Sequence, residues 1–203
     1  MTTPTKKTKL KKAERTRQLL LDAALRIIGR KGYTSATVDE IVKEAGVSKG
    51  VAYYHFKSKA ALASGILDRG LSDVTAKFQD ISESSDDAAS ALGAMLETFA
   101  SELYDNREFA RFLMTELWRD GRVWSQAMRE RVQGLIDIIA TQLARGKAEG
   151  TLRESIDPQF SAVSLVGMVV TDAMYYAGLE GDPLLDKRAF TDRVHSFARH
   201  ALE

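Results

Sequence analysis

Basic groups, hydroxyl groups and aromatic rings are concentrated between residues 48 and 59, in the segment SKGVAYYHFKSK. Such side chains supply the donors and flat surfaces that contact nucleic-acid phosphates and base edges. Catalysis is a weaker interpretation, because His195 and His200 lie five residues apart, which suits a shared metal poorly on a helix, and cysteine is absent. No glycine-rich phosphate loop or nucleophile elbow is recognisable. We therefore predict no enzyme activity, catalytic residue, metal site or cofactor.

Two short helices joined by a tight turn would present this segment. Thr37 followed by Glu40 has the spacing of a capping box, which predicts a helix start. The apolar face of that helix comprises Val38, Ile41, Val42 and Ala45. Gly46 tolerates the left-handed conformation that ends a helix, and Ser48 can cap a second helix. The inward side of the second helix would comprise Val51, Ala52 and Phe56. This pattern is typical of a helix-turn-helix, whose second helix enters the DNA major groove.

The charge distribution favours an anionic partner at one end of the chain only. Residues 1–59 contain fourteen Lys/Arg and five Asp/Glu, a net charge of +9, whereas residues 60–203 contain fifteen and twenty-three, a net of −8. Residues 1–12 contain five lysines, no acidic residue and one large apolar residue, so we expect a disordered arm there. Such an arm could enter the DNA minor groove or could only solubilise the protein.

The segment AGVSKGVAYYHFKSKAAL, residues 45–62, resembles the signature of the tetracycline-repressor (TetR) family of bacterial transcription regulators. The resemblance is specific from about Glu14 to Leu67. It implies that Tyr53 and His55 contact the DNA backbone and that Lys59 binds a phosphate. Many relatives have threonine at position 51 and a larger apolar residue at position 52, whereas this chain has Val51 and Ala52. The operator sequence therefore does not follow from the resemblance.

The other candidate DNA-binding residues have separate chemical reasons. Thr37 and Ser48 lie at predicted helix starts, where free amides favour a phosphate oxygen, although both could simply cap their helices. Lys49 is the best candidate for a base edge, most naturally that of guanine. Gly50 allows close approach of the backbone to the duplex, and Val51 could touch a thymine methyl group. Tyr54 could contact DNA or pack within the domain, and a hydrogen bond within the domain is likewise an alternative for His55.

We expect an all-α protein of about nine helices, because no segment shows sustained period-2 alternation of β-branched residues. A first helix is predicted from Ala13 to about Lys31, and a fourth from Ser58 to about Ile81. Later helices are expected near 88–104, 106–119, 123–147, 158–179 and 187–202. The predicted organisation is a disordered arm (1–12), a three-helix DNA-binding domain with the helix-turn-helix (13–59), and a larger helical effector-binding and dimerisation domain (60–203).

The resemblance implies a homodimer that binds a near-palindromic double-stranded operator, with helices 158–179 and 187–202 at the subunit interface. The alternative is that these two helices are ordinary core packed within one chain. The resemblance also implies an unidentified small-molecule effector in the larger domain. The pocket candidates are Met and aromatic residues, each of which could instead be plain core: Met95, Phe99, Phe112, Met114, Trp118, Trp124, Met128 and Met174.

The resemblance favours a ligand-responsive repressor, with activation as an alternative, and it implies a protein of the bacterial cytoplasm. No segment is apolar over a length that could span a bilayer, so we expect no membrane segment. The alternative is an architectural or non-specific DNA-binding protein without small-molecule control. Such a protein would bind with little sequence preference and would not be released by a ligand.

Overall fold

The computed structural model describes the backbone of residues 6–117, 126–177 and 182–202, and the side chains of residues 11–115, 130–177 and 182–202. Within these ranges the protein is all-α and has nine helices and no strand. The helices are α1 (Lys6–Lys31), α2 (Val38–Ala45), α3 (Lys49–His55), α4 (Lys59–Ser84), α5 (Ala88–Asp105), α6 (Arg107–Leu117), α7 (Gln126–Glu149), α8 (Pro158–Tyr176) and α9 (Lys187–Leu202). The all-α prediction is thereby confirmed.

The start of α1 and the end of α4 differ from the sequence-based expectation. Helix α1 begins at Lys6 rather than near Ala13, so helical backbone occupies much of the expected disordered arm. Lysine is a good helix former, and each residue added to an existing helix gains a backbone hydrogen bond at low cost. Helix α4 continues to Ser84, three residues past the predicted end at Ile81.

The chain divides into two compact units, residues 1–69 and residues 70–203, and the division falls within α4. The core of the first unit is formed by side chains from α1 to α4: Leu20, Leu21, Ala24, Ile28, Ile41, Ala52, Phe56, Leu62 and Ile66. Gly65 on α4 admits Phe56 and Leu21, because a Cβ atom there would lie only 3.0 and 2.9 Å from their side chains. The side chain of Arg69 ties α4 to α1 through Asp22, at 2.8 Å.

Helix α5 is the central element of the second unit and packs against α6, α7, α8 and α9. Its buried face includes Leu92, Met95, Leu96, Phe99 and Leu103. The preceding loop ends at Asp87, whose carboxylate accepts the backbone N–H of Ser90 at 2.8 Å and caps the helix. None of the described helices is long and apolar enough to cross a membrane.

Candidate nucleic-acid interface and apolar cavity

Helix α2 and the turn after it form as the local sequence dictates. Thr37 accepts the backbone N–H of Glu40 at 3.2 Å, and the Glu40 carboxylate accepts the backbone N–H of Thr37 at 3.0 Å. Gly46 adopts φ +66°, and its N–H donates to the carbonyl of Lys43 at 3.2 Å. Ser48 then accepts the N–H of Val51 at 3.3 Å and caps α3. The helix-turn-helix predicted from the capping residues is present.

Glu40 links the start of α2 to the end of α1. Its carboxylate also pairs with Lys31 at the end of α1. The hydrogen bond from Lys31, followed by those from the backbone and side chain of Thr37, lowers the pKa of Glu40 from 4.5 to about 2. The carboxylate therefore remains charged down to strongly acidic pH, and the start of α2 is tied to the end of α1.

Helix α3 has one buried side and one exposed side. Ala52 and Phe56, four residues apart, are buried, whereas Tyr54 is 77% exposed and Tyr53 is 40% exposed. The prediction that Val51 points inward is wrong, since it is 39% exposed. Val51 lies about 100° around the helix from Ala52 and so falls on the outer side. The high exposure of Tyr54 argues against the alternative that its ring packs within the domain.

The outer side of α3 is open enough for a partner molecule to approach the backbone closely. Gly50 has no atom within 4 Å of the position that a Cβ would occupy, so nothing in the described protein requires glycine there. The half-buried His55 packs edge-on against the exposed Tyr54 ring, with the ring centroids 5.2 Å apart. The exposed Lys49 side chain pairs with Asp39 of α2 at 2.7 Å, a contact that the sequence analysis missed. Donors and rings thus share one solvent-facing surface.

Lys59 has a different environment from the phosphate contact implied by the family resemblance. Its ammonium donates to the backbone carbonyls of Tyr33 at 2.6 Å, Thr34 at 3.2 Å and Ala36 at 2.8 Å. The same nitrogen lies 4.5 Å from the centroid of the Tyr33 ring. An ammonium has three N–H donors, so these carbonyls occupy all of them. In this conformation Lys59 joins the start of α4 to the α1–α2 connection, and no donor remains for a phosphate.

The second unit contains an apolar cavity of about 190 Å³ between helices α4 to α8. The described residues that line it are almost all apolar: Leu71, Phe99, Leu113, Met114, Val132, Leu135, Ile136, Val163, Val166, Gly167, Val170 and Thr171. No charged side chain is among these residues. The cavity therefore suits an apolar group rather than an ion.

Only some of the predicted pocket residues line the apolar cavity. Phe99 and Met114 line the cavity, and Met95 lines a second apolar void of about 10 Å³ beside it. Phe112 is buried but is not among the lining residues, and the half-buried Met174 is not among them either. Trp118 and Trp124 lie outside the described residues, as does the side chain of Met128. Most of the lining residues are aliphatic, so a search for Met and aromatic residues could not find them.

Helix α8 has two apolar sides. Ala162, Leu165, Val169 and Ala173 are buried within the unit. On another side Phe160 is 73% exposed and Tyr175 is 66% exposed, with Val163, Gly167 and Thr171 between them. On α9, Phe197 is 66% exposed. We call the exposed residues Phe160, Val163, Gly167, Thr171, Tyr175 and Phe197 the α8–α9 face.

Each of the two units contains a segment that matches a known protein-family model. Residues 20–66 match the family model described as "Bacterial regulatory proteins, tetR family", and residues 89–175 match the "Tetracyclin repressor-like, C-terminal domain". The chain belongs to the TetR family. TetR-family proteins are transcription regulators rather than enzymes, and this chain is a ligand-responsive, DNA-binding transcription regulator.

Several relatives cover most of this TetR-family chain. The fatty acid metabolism regulator protein of Bacillus subtilis is 23% identical over 150 residues, which are 74% of this chain and 77% of that protein. The HTH-type transcriptional activator FasR of Mycolicibacterium smegmatis is 27% identical over 191 residues, 94% of this chain and 84% of that protein.

A solved structure shows the same fold. It is the transcriptional regulator FadR from Bacillus subtilis in complex with stearoyl-CoA, with a TM-score of 0.79 and 19% identity. The match covers 92% of this chain and 99% of that one.

Among the described residues, no group of three or more His, Asp or Glu side chains could hold a metal ion.

Proposed function

We propose that this regulator is a repressor that binds a near-palindromic operator as a homodimer and is released by an apolar, chain-like effector. The observation that carries the DNA-binding part is the outer side of α3, where Lys49, Tyr53 and Tyr54 are exposed next to a glycine with open space above it. A short helix reads few base pairs, so two copies about 34–36 Å apart would be needed for specificity.

The proposed contacts divide by chemistry. Tyr53, Tyr54 and His55 would contact the sugar-phosphate backbone, with the capped helix starts at Thr37 and Ser48 beside them. Lys49 would leave Asp39 to reach a guanine edge, since an exposed ion pair contributes little and is easily exchanged. Val51 would contact a thymine methyl group. The basic first unit supplies the electrostatic part of the affinity.

The α8–α9 face supports the proposed homodimer. Along α8 this face has the large rings of Phe160 and Tyr175 at its two ends and the smaller Val163 between them. It also contains Gly167, where a Cβ would meet no atom within 4 Å. A contiguous exposed apolar surface of this kind marks an interaction site, and a small residue lets a second helix approach closely. In a twofold homodimer this face would pack against the same face of a second copy.

The cavity supports the effector part of the proposal. Its walls are aliphatic, and the structural relative from Bacillus subtilis was solved with stearoyl-CoA, so we propose a long acyl chain as the apolar group. At about 190 Å³ the cavity is smaller than the roughly 300–1,000 Å³ of pockets for drug-sized ligands. A long chain would therefore bind an arrangement with displaced helices better than this one. Such a difference in affinity is what shifts a population away from the DNA-competent form.

Selection of bound duplexes from a random pool, followed by footprinting, tests the DNA-binding part. A palindromic consensus is expected, and the Lys49→Ala variant should lose discrimination at one base pair per half-site, by about 1–3 kcal/mol. The exposed Lys43 on α2 provides a matched control, because Lys43→Ala removes an equal charge outside α3. An isolated half-site bound by a monomer, or no enrichment, would contradict the proposal.

Titration of the operator complex with stearoyl-CoA tests the effector part. Release of the DNA is expected with stearoyl-CoA and not with coenzyme A alone. Val170 lines the cavity and is buried, so Val170→Phe should fill it and weaken release. Equal release of the wild-type and Val170→Phe proteins would place the effector elsewhere, and tighter DNA binding with stearoyl-CoA would show that the effector assists binding instead.

A further inference from the structure

Two apolar voids in the second unit share a wall. The 190 Å³ cavity and the 10 Å³ void are both lined by Phe99 of α5 and Val166 of α8. The smaller void is otherwise lined by Phe78, Leu92, Met95, Leu96, Ile139 and Leu165, and none of the described residues that line it is polar. A void that small and that apolar does not hold a stable water molecule.

The Phe99 ring is the larger part of the shared wall. Phe99 is 3% exposed, and its ring packs edge-on against Phe78 with the centroids 6.3 Å apart. Phe99 lines both the larger cavity and the smaller void, so we infer that its ring separates the two. If this ring were removed or turned aside, the cavity would extend towards Leu92 and Met95 along α5.

We propose that Phe99 sets the maximum length of the apolar chain that this regulator accepts. The inference rests on the proposed effector function. A straight chain that enters the 190 Å³ cavity gains affinity with each methylene that it buries, about fourfold per carbon. The gain stops where the chain end meets the Phe99 ring. Longer chains must either leave carbons outside the cavity or displace that ring from close packing with Phe78.

Binding of straight-chain primary alcohols, from hexanol to tetradecanol, tests this length limit by calorimetry on the intact protein. Alcohols have no charged headgroup, so their affinities report the apolar cavity alone. The wild-type protein should show affinity that rises with length to a limit and then levels off. In Phe99→Ala, which lacks the six ring carbons, the limit should move to longer chains, with about a fourfold gain for each additional methylene accommodated.

Two further variants keep the result interpretable. Phe99→Leu is a smaller change that preserves folding if Phe99→Ala does not, and it should move the limit in the same direction. Phe112→Ala is the matched control, because Phe112 is equally buried but does not line either void. An equal shift in Phe112→Ala would mean general loosening of the core and would overturn the assignment of Phe99.

The results distinguish the proposed role of Phe99 from the proposed effector cavity. A wild-type length limit that stays unchanged in both Phe99 variants overturns the role of Phe99 and leaves the effector cavity standing. No binding of any alcohol by the wild-type or the variants overturns both, since the cavity would then accept no apolar chain.

Discussion

The ammonium of Lys59 donates to the backbone carbonyls of Tyr33, Thr34 and Ala36. Removing it should therefore lower the stability of the folded protein rather than remove a contact with DNA. Lys59→Ala should lower the free energy of unfolding by about 1.5–3 kcal/mol, the range for hydrogen bonds to a charged group. Because a domain is typically stable by about 5–15 kcal/mol, most of the Lys59→Ala protein should stay folded, and its operator affinity should change little. The slope of log K against log salt should stay unchanged, because no phosphate contact is lost.

Chemical denaturation and operator titrations over a range of salt concentrations measure these effects. Lys57 offers a matched control two residues away, since it is exposed and Lys57→Ala removes the same charge. Its stability should equal that of the wild type. A reduced salt slope in Lys59→Ala with unchanged stability would restore the phosphate contact that the family resemblance implies.

The capping box of α2 gives this element an acid-sensitive contribution to stability. The pKa of Glu40 is lowered to about 2 by hydrogen bonds from Lys31 and Thr37, whereas the unfolded chain has the ordinary value of 4.5. A depressed carboxyl pKa stabilises the folded state above the unfolded pKa, and that contribution is lost as pH falls through the folded pKa. Glu40→Gln should therefore be less stable than the wild type at pH 7, and the difference should shrink between about pH 4.5 and 2.

Urea unfolding of both proteins across this pH range measures the difference. Glu97 is an exposed glutamate in the middle of α5, and Glu97→Gln serves as the comparison. A constant difference between wild type and Glu40→Gln at all pH values would show that the carboxylate charge is not the cause.

Assembly of the whole molecule is proposed to depend on the α8–α9 face. Phe197 is 66% exposed on α9, and Phe197→Asp would place a charge within the proposed dimer interface. Burying an unpaired charge is costly, so dimerisation should weaken by at least about tenfold, and operator binding should weaken with it. Sedimentation velocity over a concentration series measures the dimerisation constant.

Leu19 provides the control for this change, because it is also an exposed apolar residue, at 43%, but belongs to α1. Leu19→Asp should leave the monomer–dimer equilibrium unchanged. A Phe197→Asp protein that still forms the wild-type dimer would exclude this face as the subunit interface.

The sequence by itself determined the all-α fold and the caps of α2 and α3. Thr37, Gly46 and Ser48 act on backbone groups within a few residues, so their types and spacing were enough to predict the helix-turn-helix and its turn. The concentration of donors and rings on α3 and the family signature likewise came from local sequence. The early start of α1 escaped prediction because charge composition suggested disorder, while good helix propensity and a helix already formed downstream favour its extension.

Only the tertiary structure decided which side chains meet across long separations. Lys59 reaches carbonyls more than twenty residues away, and its three bonds there replace the phosphate contact suggested by its place in the motif. The cavity is lined by aliphatic residues from several helices, whose individual patterns look the same as ordinary core. Packing leaves a void where neighbouring side chains fail to fill the space between helices, and that depends on all the helices together. No residue type or spacing within one helix records it.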